Sequence, residues 1–407
     1  MSTTCRLCRS TSTVEVLDFG DLAFTGVFPA SPTEHVDTGR LALMVCPDCG
    51  LVQLADEFDP KVLYGPTYGY RSGLNAGMVR HLASTARALQ RRAGLQSGDV
   101  VLDIGSNDGT LLAAYSVPGV GRIGIDPTSA KFAEFHEPGI LAVEEFFTAD
   151  AYWAVSDRPA QVVTSIAMFY DLPDPVAFAR DVARCLADDG LWHLEVAYAP
   201  RMLATGAYDG ICHEHLEYYT LTTLATVLDE AGFVIVDVST NTTNGGSIAV
   251  TAGKAAHHAP EFTMVPWILA RESRARVGDP LSWMQFSGQV RESQSDLVGL
   301  LSAFHAHGAT IGGLGASTKG NVLLQTSGIG TALVDAIGDV NPYKYGRVTP
   351  GTHIPIVSEA DMVARYPDYL LVLPWHFREG IVKSMEPYLA RGGRLIFPLP
   401  DIEIVGA

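Results

Sequence analysis

The chain has 407 residues, 47% hydrophobic and 18% charged, and its 28 Lys and Arg against 45 Asp and Glu leave a formal charge of -17. That length predicts two or three domains, each able to bury a core, and that composition excludes the disordered and fibrous classes. An acidic chain lacks the electrostatic footprint of a nucleic-acid binder, no apolar run approaches the ~20 residues of a membrane span, and Met1-Ser-Thr-Thr-Cys5 shows no leader pattern. The expectation is a cytoplasmic protein with neither nucleic acid nor membrane as a partner.

Residues 1–65 carry short strand-like pieces around Cys5-Arg-Leu-Cys8 and Cys46-Pro-Asp-Cys49. A two-residue gap lets both thiolates of a knuckle face one cation, and two knuckles supply the four sulfurs of a tetrahedral zinc site. Four protein ligands leave no open position, so the metal is expected to be structural. A turn-rich stretch, Tyr64-Gly-Pro-Thr-Tyr-Gly-Tyr-Arg-Ser-Gly73, precedes an amphipathic helix over about 78–92. From 98 to 200, apolar runs alternate with helical patterns, which reads as βαβ units and a parallel sheet.

Within that sheet, Val101-Leu-Asp-Ile-Gly105-Ser-Asn-Asp-Gly109 is a strand, a glycine turn and a helix start, and a second strand ends in Gly124-Ile-Asp126. Gly105 allows close backbone approach to a ligand, and an acid placed like Asp126 can bind a ribose diol. The spacing alone fits NAD as well as S-adenosylmethionine (SAM). An acidic strand residue, Asp103, followed by Gly-x-x-x-Gly resembles motif I of class I SAM-dependent methyltransferases.

The segment Cys212-His213-Glu214-His215-Leu-Glu-Tyr218-Tyr219 follows. Its histidines read as metal ligands on one strand face, as a base oriented by a carboxylate, or as a structural pair. A helical stretch over about 279–307 is expected to bridge two domains. From Ala309 the strand–helix alternation restarts as a smaller doubly wound unit, with Gly313-Leu-Gly315-Ala-Ser317-Thr318-Lys319-Gly320-Asn321 after a strand. Hydroxyls, amides and one cation at a helix start suit a pyrophosphate, with Lys344 as a second cation. His353 and His376 read as structural. The division expected is a zinc-binding domain over 1–65, a domain with the methyltransferase-like loop over 66–255, a helical connector over 256–300 and a Rossmann-like domain over 301–407.

Several motifs recur together in one family. They are the two knuckles, Tyr68-Gly-Tyr-Arg-Ser-Gly-Leu-Asn75, IleGlySerAsnAspGlyThrLeuLeu, Ala167-Met-Phe-Tyr-Asp171-Leu-Pro-Asp, CysHisGluHisLeuGluTyrTyr, Asn244-Gly-Gly-Ser247 and GlyAlaSerThrLysGlyAsn. Over nearly its whole length the chain resembles the three-domain sugar C-methyltransferases, which methylate nucleotide-linked 4-keto-deoxysugars in antibiotic and surface-glycan biosynthesis. The resemblance implies an α/β architecture with an N-terminal zinc module, a central class I methyltransferase domain and a smaller C-terminal Rossmann-like domain. It implies SAM as cofactor, structural zinc on Cys5, Cys8, Cys46 and Cys49, and a ketosugar substrate carried on dTDP, with the protein a monomer.

By resemblance His215 is the base that forms an enolate at C3 or C5, Glu214 and His213 orient it or contact sugar, and Asp171 and Tyr219 complete the catalytic set. Some relatives carry Tyr at the position of Cys212 and His at that of Asp171, so the side groups that hold substrate there differ. Asp103, Gly105, Asn107 and Asp126 are assigned to SAM, Tyr68, Tyr70 and Ser72 to a lid over it, and Met168 to its frame. Asn244, Ser247, Ser317, Thr318, Lys319, Asn321 and Lys344 are assigned to the nucleotide-sugar. Competing readings are an NAD(P)-dependent oxidoreductase using the second glycine loop, a partner or RNA adaptor on a decayed methyltransferase, and an O- or N-methyltransferase.

Overall fold

The computed structural model describes residues 4–65 and 68–406; Pro66 and Thr67 of the turn-rich stretch lie outside the described residues. Strands β1 (Val14–Ala23), β2 (Thr38–Val45) and β3 (Val52–Leu54) form an antiparallel sheet around the two knuckles. The helix Ala76–Arg92 starts where Asn75 caps it, its side chain accepting from Gly77 and Met78 amides at 2.8 and 3.1 Å, a device that stabilises by about 1 kcal/mol. Met78, Leu82, Ala86 and Leu89 recur at the helical period and are its buried face.

The central sheet comprises β4 (Val100–Ile104), β5 (Gly121–Ile125), β6 (Ile140–Val143), β7 (Ala160–Ile166) and β8 (Leu186–Ala197). Beyond β9 (Glu217–Tyr218), β10 (Phe233–Asn241) and β11 (Ser247–Lys254) extend it. Its order is β10-β11-β8-β7-β4-β5-β6, with β11 alone antiparallel to its neighbours. Every residue of β4 is buried, as a central strand covered on both faces requires. The strand order switches sides at β4, with β5 following on one side and β7 on the other, both parallel to it, which opens a crevice at the carboxyl ends of these strands.

The third sheet holds β12 (Ile311–Leu314), β13 (Ile337–Asp339), β14 (Ile356–Ser358), β15 (Tyr369–Val372), β16 (Arg394–Phe397) and β17 (Glu403–Val405). The order β14-β13-β12-β15-β16-β17 is that of the doubly wound nucleotide-binding fold, with β17 antiparallel at the edge. The mixed α/β architecture expected from the alternation is the one observed.

Helix Pro280–Ala306 begins with Asp279 capping the Leu281 amide and buries Trp283, Phe286, Val290, Leu297 and Leu301. These side chains join one continuous core with β1, β2 and the C-terminal sheet, whereas Cys5, Leu7, Cys46 and Leu51 belong to the core of the central sheet. The N-terminal module therefore packs against both larger units. A short strand makes the same connection: β9 pairs antiparallel with β3, Val52 facing Tyr218 and Gln53 facing Glu217.

Candidate active site

The sulfurs of Cys5, Cys8, Cys46 and Cys49 all lie within 4.8 Å of one another, with Cys5–Cys49 and Cys8–Cys46 at 3.5 Å. A tetrahedron of Zn–S bonds near 2.3 Å has edges of about 3.8 Å, so this donor set fits zinc. Cys185 is fully buried in the central core.

Turning from β4 into the next helix, the chain crosses Gly105 at φ +75°, where a Cβ would stand 3.0 Å from Met168 Cγ. No side chain fits there without displacing Met168. Beside this turn lies a cavity of about 370 Å³ lined by Tyr68, Tyr70, Ser72, Asp103, Asn107, Asp126 and Met168, with Phe146 and Phe147. Asp126 directly follows β5, its Oδ2 accepting the Asn107 amide at 2.8 Å and its Oδ1 the Thr128 hydroxyl at 2.6 Å. Burial pushes the Asp103 carboxyl up to about 7, against the hydrogen bond it accepts from Thr164. The tyrosine loop is fastened over this cavity: Asn107 Oδ1 accepts the Ser72 amide at 2.9 Å and Asp108 Oδ2 the Gly73 amide at 2.9 Å. A carboxylate at a strand end, an apolar wall and this volume fit a nucleoside cofactor such as SAM.

A second cavity, of about 260 Å³, adjoins the first, and Tyr64, Tyr68, Tyr70, Ala167 and Asp171 line both. His215, Glu214, Asn244, Ser247, Ser317, Thr318 and Lys319 line this second space. His215 Nδ1 lies 2.9 Å from the Gly210 carbonyl, and its ring packs on Tyr170 at 4.1 Å between centroids. Burial, reinforced by the charge of Lys319, pushes His215 down to about 4. Glu214 is pushed up by its burial, and Thr25 Oγ1 lies 3.5 Å from its Oε2. Burial also holds the Asp171 carboxyl well above its usual range, although the Tyr64 hydroxyl donates to it at 2.6 Å.

Lining the same cavity, Lys319 Nζ donates to the Asn244 carbonyl at 2.6 Å, and Ser317 Oγ caps helix Thr318–Ser327 by accepting the Gly320 amide at 3.0 Å. Asn244 sits at φ +54° in the tight turn between β10 and β11, and Ser247 Oγ donates to the Thr243 carbonyl at 3.0 Å. The cavity thus brings together a neutral imidazole, carboxyls and a cation at a helix N-terminus.

Four expected residues lie outside both cavities. Residues 212–215 form a turn, with the His215 amide donating to the Cys212 carbonyl at 3.1 Å, and not a strand with both imidazoles on one face. His213 consequently points away, its Nε2 3.1 Å from the Gly39 carbonyl and its ring between Phe24 and Phe58. Tyr219 alternates away from Tyr218 and packs on Phe169 in the central core. Asn321 donates to the Thr25 carbonyl at 2.7 Å, fully buried. Lys344 is occupied by the Ala316 carbonyl at 2.6 Å and by Asp339 at 3.7 Å, with its ammonium over Phe28.

Other residues enter unexpectedly. Tyr218, Tyr170, Glu195, Asp209 and His376 line the second cavity. Glu195 holds His81 at 2.9 Å and Asn241 at 3.0 Å, and Trp375 Nε1 donates to Asp209 at 2.8 Å. His376, read as structural, lies along this cavity, and burial holds it well below its usual value. Glu195 lies in an ordinary apolar strand pattern, and nothing local separates it from a buried structural carboxylate.

Family models match three consecutive blocks of the chain: a zinc binding domain over residues 5–64, a methyltransferase domain over 78–238 and a C-methyltransferase C-terminal domain over 242–400. The C-methyltransferase NovU of Streptomyces niveus is 30% identical over 410 residues, covering 99% of this chain and 97% of its own. A solved 1,6-didemethyltoxoflavin-N1-methyltransferase of Burkholderia thailandensis, with S-adenosylhomocysteine bound, aligns over 42% of this chain and 77% of its own at 19% identity and a TM-score of 0.33. Magnesium protoporphyrin IX methyltransferase of Synechocystis, also with that ligand, aligns over 44% and 84% at 17% identity and a TM-score of 0.34.

Proposed function

The chain belongs to the three-domain C-methyltransferases that carry an N-terminal zinc-binding domain, and we propose that it methylates a carbon, C3 or C5, of a dTDP-linked 4-keto-deoxysugar. It is a SAM-dependent enzyme, and its second glycine loop falls within the C-methyltransferase C-terminal block. The observation that carries the substrate reading is the pair of adjoining cavities. One offers Asp126 and the Gly105 turn; the other offers His215 and Lys319.

SAM, when bound, supplies an electrophilic methyl group. Asp126, Asp103 and Asn107 would hold it, with Tyr68, Tyr70 and Ser72 covering it and Met168 at its edge. Lys319, Ser317 and Thr318 would take the diphosphate at the N-terminus of helix Thr318–Ser327, where backbone amides and the helix dipole favour an anion. Asn244 and Ser247 would line the sugar's path.

His215 acts on the sugar carbon beside the ketone. The Nδ1 proton is committed to Gly210, so Nε2 carries the lone pair that removes the C–H proton. The C–H electrons pass to the 4-keto oxygen, giving an enolate; as the ketone re-forms, that carbon would take the methyl group, the methyl–sulfur bond breaking with its electron pair left on the sulfur of S-adenosylhomocysteine and the proton left on His215. An imidazole held near 4 is a weak base, so the enolate oxygen needs donors. Tyr218 supplies one: it lines the cavity, and its hydroxyl is buried. Asp171, whose burial favours the protonated carboxyl, supplies another at the wall shared by both cavities. Glu214 holds the remaining side of the substrate.

On this reading the protein works as a cytoplasmic monomer, since one chain supplies both cavities. No helix among the described residues is long and apolar enough to cross a membrane. The division at residues 65, 255 and 300 belongs to the same proposal.

The test is proton NMR of dTDP-4-keto-6-deoxyglucose with the enzyme and S-adenosylhomocysteine in deuterated water. Loss of a sugar proton signal is expected, at C3 or C5, and names the methylated carbon. Absence of exchange with this sugar and with its amino and dideoxy analogues would overturn the carbon-acid reading.

A further inference from the structure

Arg6 stands between the zinc ligand Cys5 and Leu7 and is only 6% exposed. Its guanidinium reaches away from the metal site. Nη1 donates to the Leu54 carbonyl at 2.8 Å and to the Leu216 carbonyl at 3.4 Å, and Nη2 donates to the Asp56 carbonyl at 3.3 Å. Its own amide donates to Gln53 Oε1 at 2.8 Å, and Gln53 Nε2 returns to the Thr4 carbonyl at 3.2 Å. Leu216, the residue after His215, also receives the Leu54 amide at 2.9 Å, and β9 then pairs with β3. One residue past a metal ligand, the chain therefore grips the backbone one residue past the base.

Charge balance alone does not explain this arginine. Its nearest carboxylate, Glu217, lies 3.7 Å from Nε, is 1% exposed, and has both oxygens without a hydrogen-bond partner. Removing two charges from water for a pair of that geometry is a poor source of stability, and apolar side chains of similar volume commonly serve as well or better. What the guanidinium does achieve is directional. Its fork ties two carbonyls of the N-terminal module to one carbonyl of the segment that carries His215 and Glu214.

We propose that Arg6 is a positioning residue, through which the four-cysteine zinc site fixes the 212–218 segment so that His215 and Tyr218 face the second cavity. The metal then serves the catalytic geometry as well as the folding of the N-terminal module. Loss of the metal frees Cys5, and with it Arg6, so that the segment loosens while the cofactor cavity, built on the ends of β4 and β5, stays formed. The proposal rests on the reading of His215 as the base.

The test uses the full chain as wild type, Arg6→Met and Arg6→Lys, with bound zinc, SAM affinity, amide hydrogen exchange and methyl-transfer kinetics measured on each. Arg6→Met is expected to keep its zinc and its SAM affinity while exchange over residues 212–218 accelerates at least about tenfold, exchange over residues 100–125 staying as in wild type. Its kcat is expected to fall by about tenfold or more with KM little changed, and Arg6→Lys, which keeps one cationic donor, to recover part of both losses. Wild type stripped of zinc by a chelator is expected to lose protection over 212–218 before 100–125, an arm that holds even where Arg6→Met fails to fold. Unchanged exchange over 212–218 in zinc-loaded Arg6→Met, or a rise spread evenly over the chain, would overturn the proposal. The exchange measurement involves no sugar. Exchange as expected with no turnover on any ketosugar would therefore sink the substrate reading and leave the link between zinc site and segment standing.

Discussion

His215 Nδ1 lies 2.9 Å from the carbonyl oxygen of Gly210, five residues earlier in the same connection, so one ring nitrogen is a committed donor and the other a free base. Replacing His215 by Asn removes the base and keeps a side chain of similar reach. We expect methyl transfer to fall by about 10³-fold or more, within the range of general-base catalysis, with SAM affinity by calorimetry unchanged. Turnover within a few-fold of wild type would remove His215 from the mechanism.

His213 provides the contrasting case. It packs between Phe24 and Phe58 with one hydrogen bond to Gly39, outside both cavities. His213→Phe should cost about 1–2 kcal/mol of stability through the lost buried hydrogen bond, and leave kcat within about threefold. A loss of kcat as large as that of His215→Asn would return His213 to the active site.

Lys319 faces His215 and the Asn244 turn. Lys319→Ala should raise KM for the nucleotide-sugar by about tenfold or more, and leave SAM affinity as it was. Its charge helps to depress His215, so its removal should also move the acid limb of the kcat/KM profile to higher pH. Equal weakening of both ligands would place Lys319 elsewhere in the mechanism.

Asp126 meets the loop amides of the first cavity with both carboxylate oxygens. Asp126→Asn keeps the shape and removes the charge, and SAM affinity should drop about 10- to 100-fold, the range for a hydrogen bond to a charged group. Bound zinc should stay constant, since the four sulfurs lie in another module. Unaltered SAM affinity would exclude Asp126 as the ribose carboxylate.

Three histidines, His193, His213 and His215, are each pushed down by burial to about 4. The folded state keeps them neutral while the unfolded chain, with ordinary values near 6.5, binds protons. They cost the fold nothing above about pH 6.5, and stability drops progressively as pH falls toward 4, by on the order of 1–3 kcal/mol for each. Urea unfolding at about pH 7.5 and about pH 5, with zinc retained at both, should show the lower midpoint at the lower pH. Equal midpoints would mean that these imidazoles are solvated in the folded state.

Features whose chemistry is local were legible in the sequence. Cys5, Cys8, Cys46 and Cys49 announced a metal site because a CxxC turn forms within one loop, and the structure had only to bring two such loops together. Gly105 and Asp126 were readable because a strand–glycine–helix unit fixes their places at the sheet edge. Glu195, His376 and Tyr218 gave no such signal. Each enters the second cavity from a different element, and only packing makes them neighbours.

The segment CysHisGluHisLeuGluTyrTyr separates the two kinds of knowledge most sharply. Its residue types determined that acid–base chemistry is available there, since imidazoles and carboxyls carry that property wherever they lie. Which of them are used was decided by tertiary structure. The turn over residues 212–215 sends His213 to Gly39 and His215 to the cavity, and the pairing of β9 with β3 sets which tyrosine lines the second cavity. Successive side chains on a strand point to opposite sides, so a one-residue slip would exchange Tyr218 and Tyr219. Sequence specifies the chemistry of each side chain, but its direction is set by backbone hydrogen bonds to partners such as Val52 and Leu54, more than 150 residues earlier in the chain.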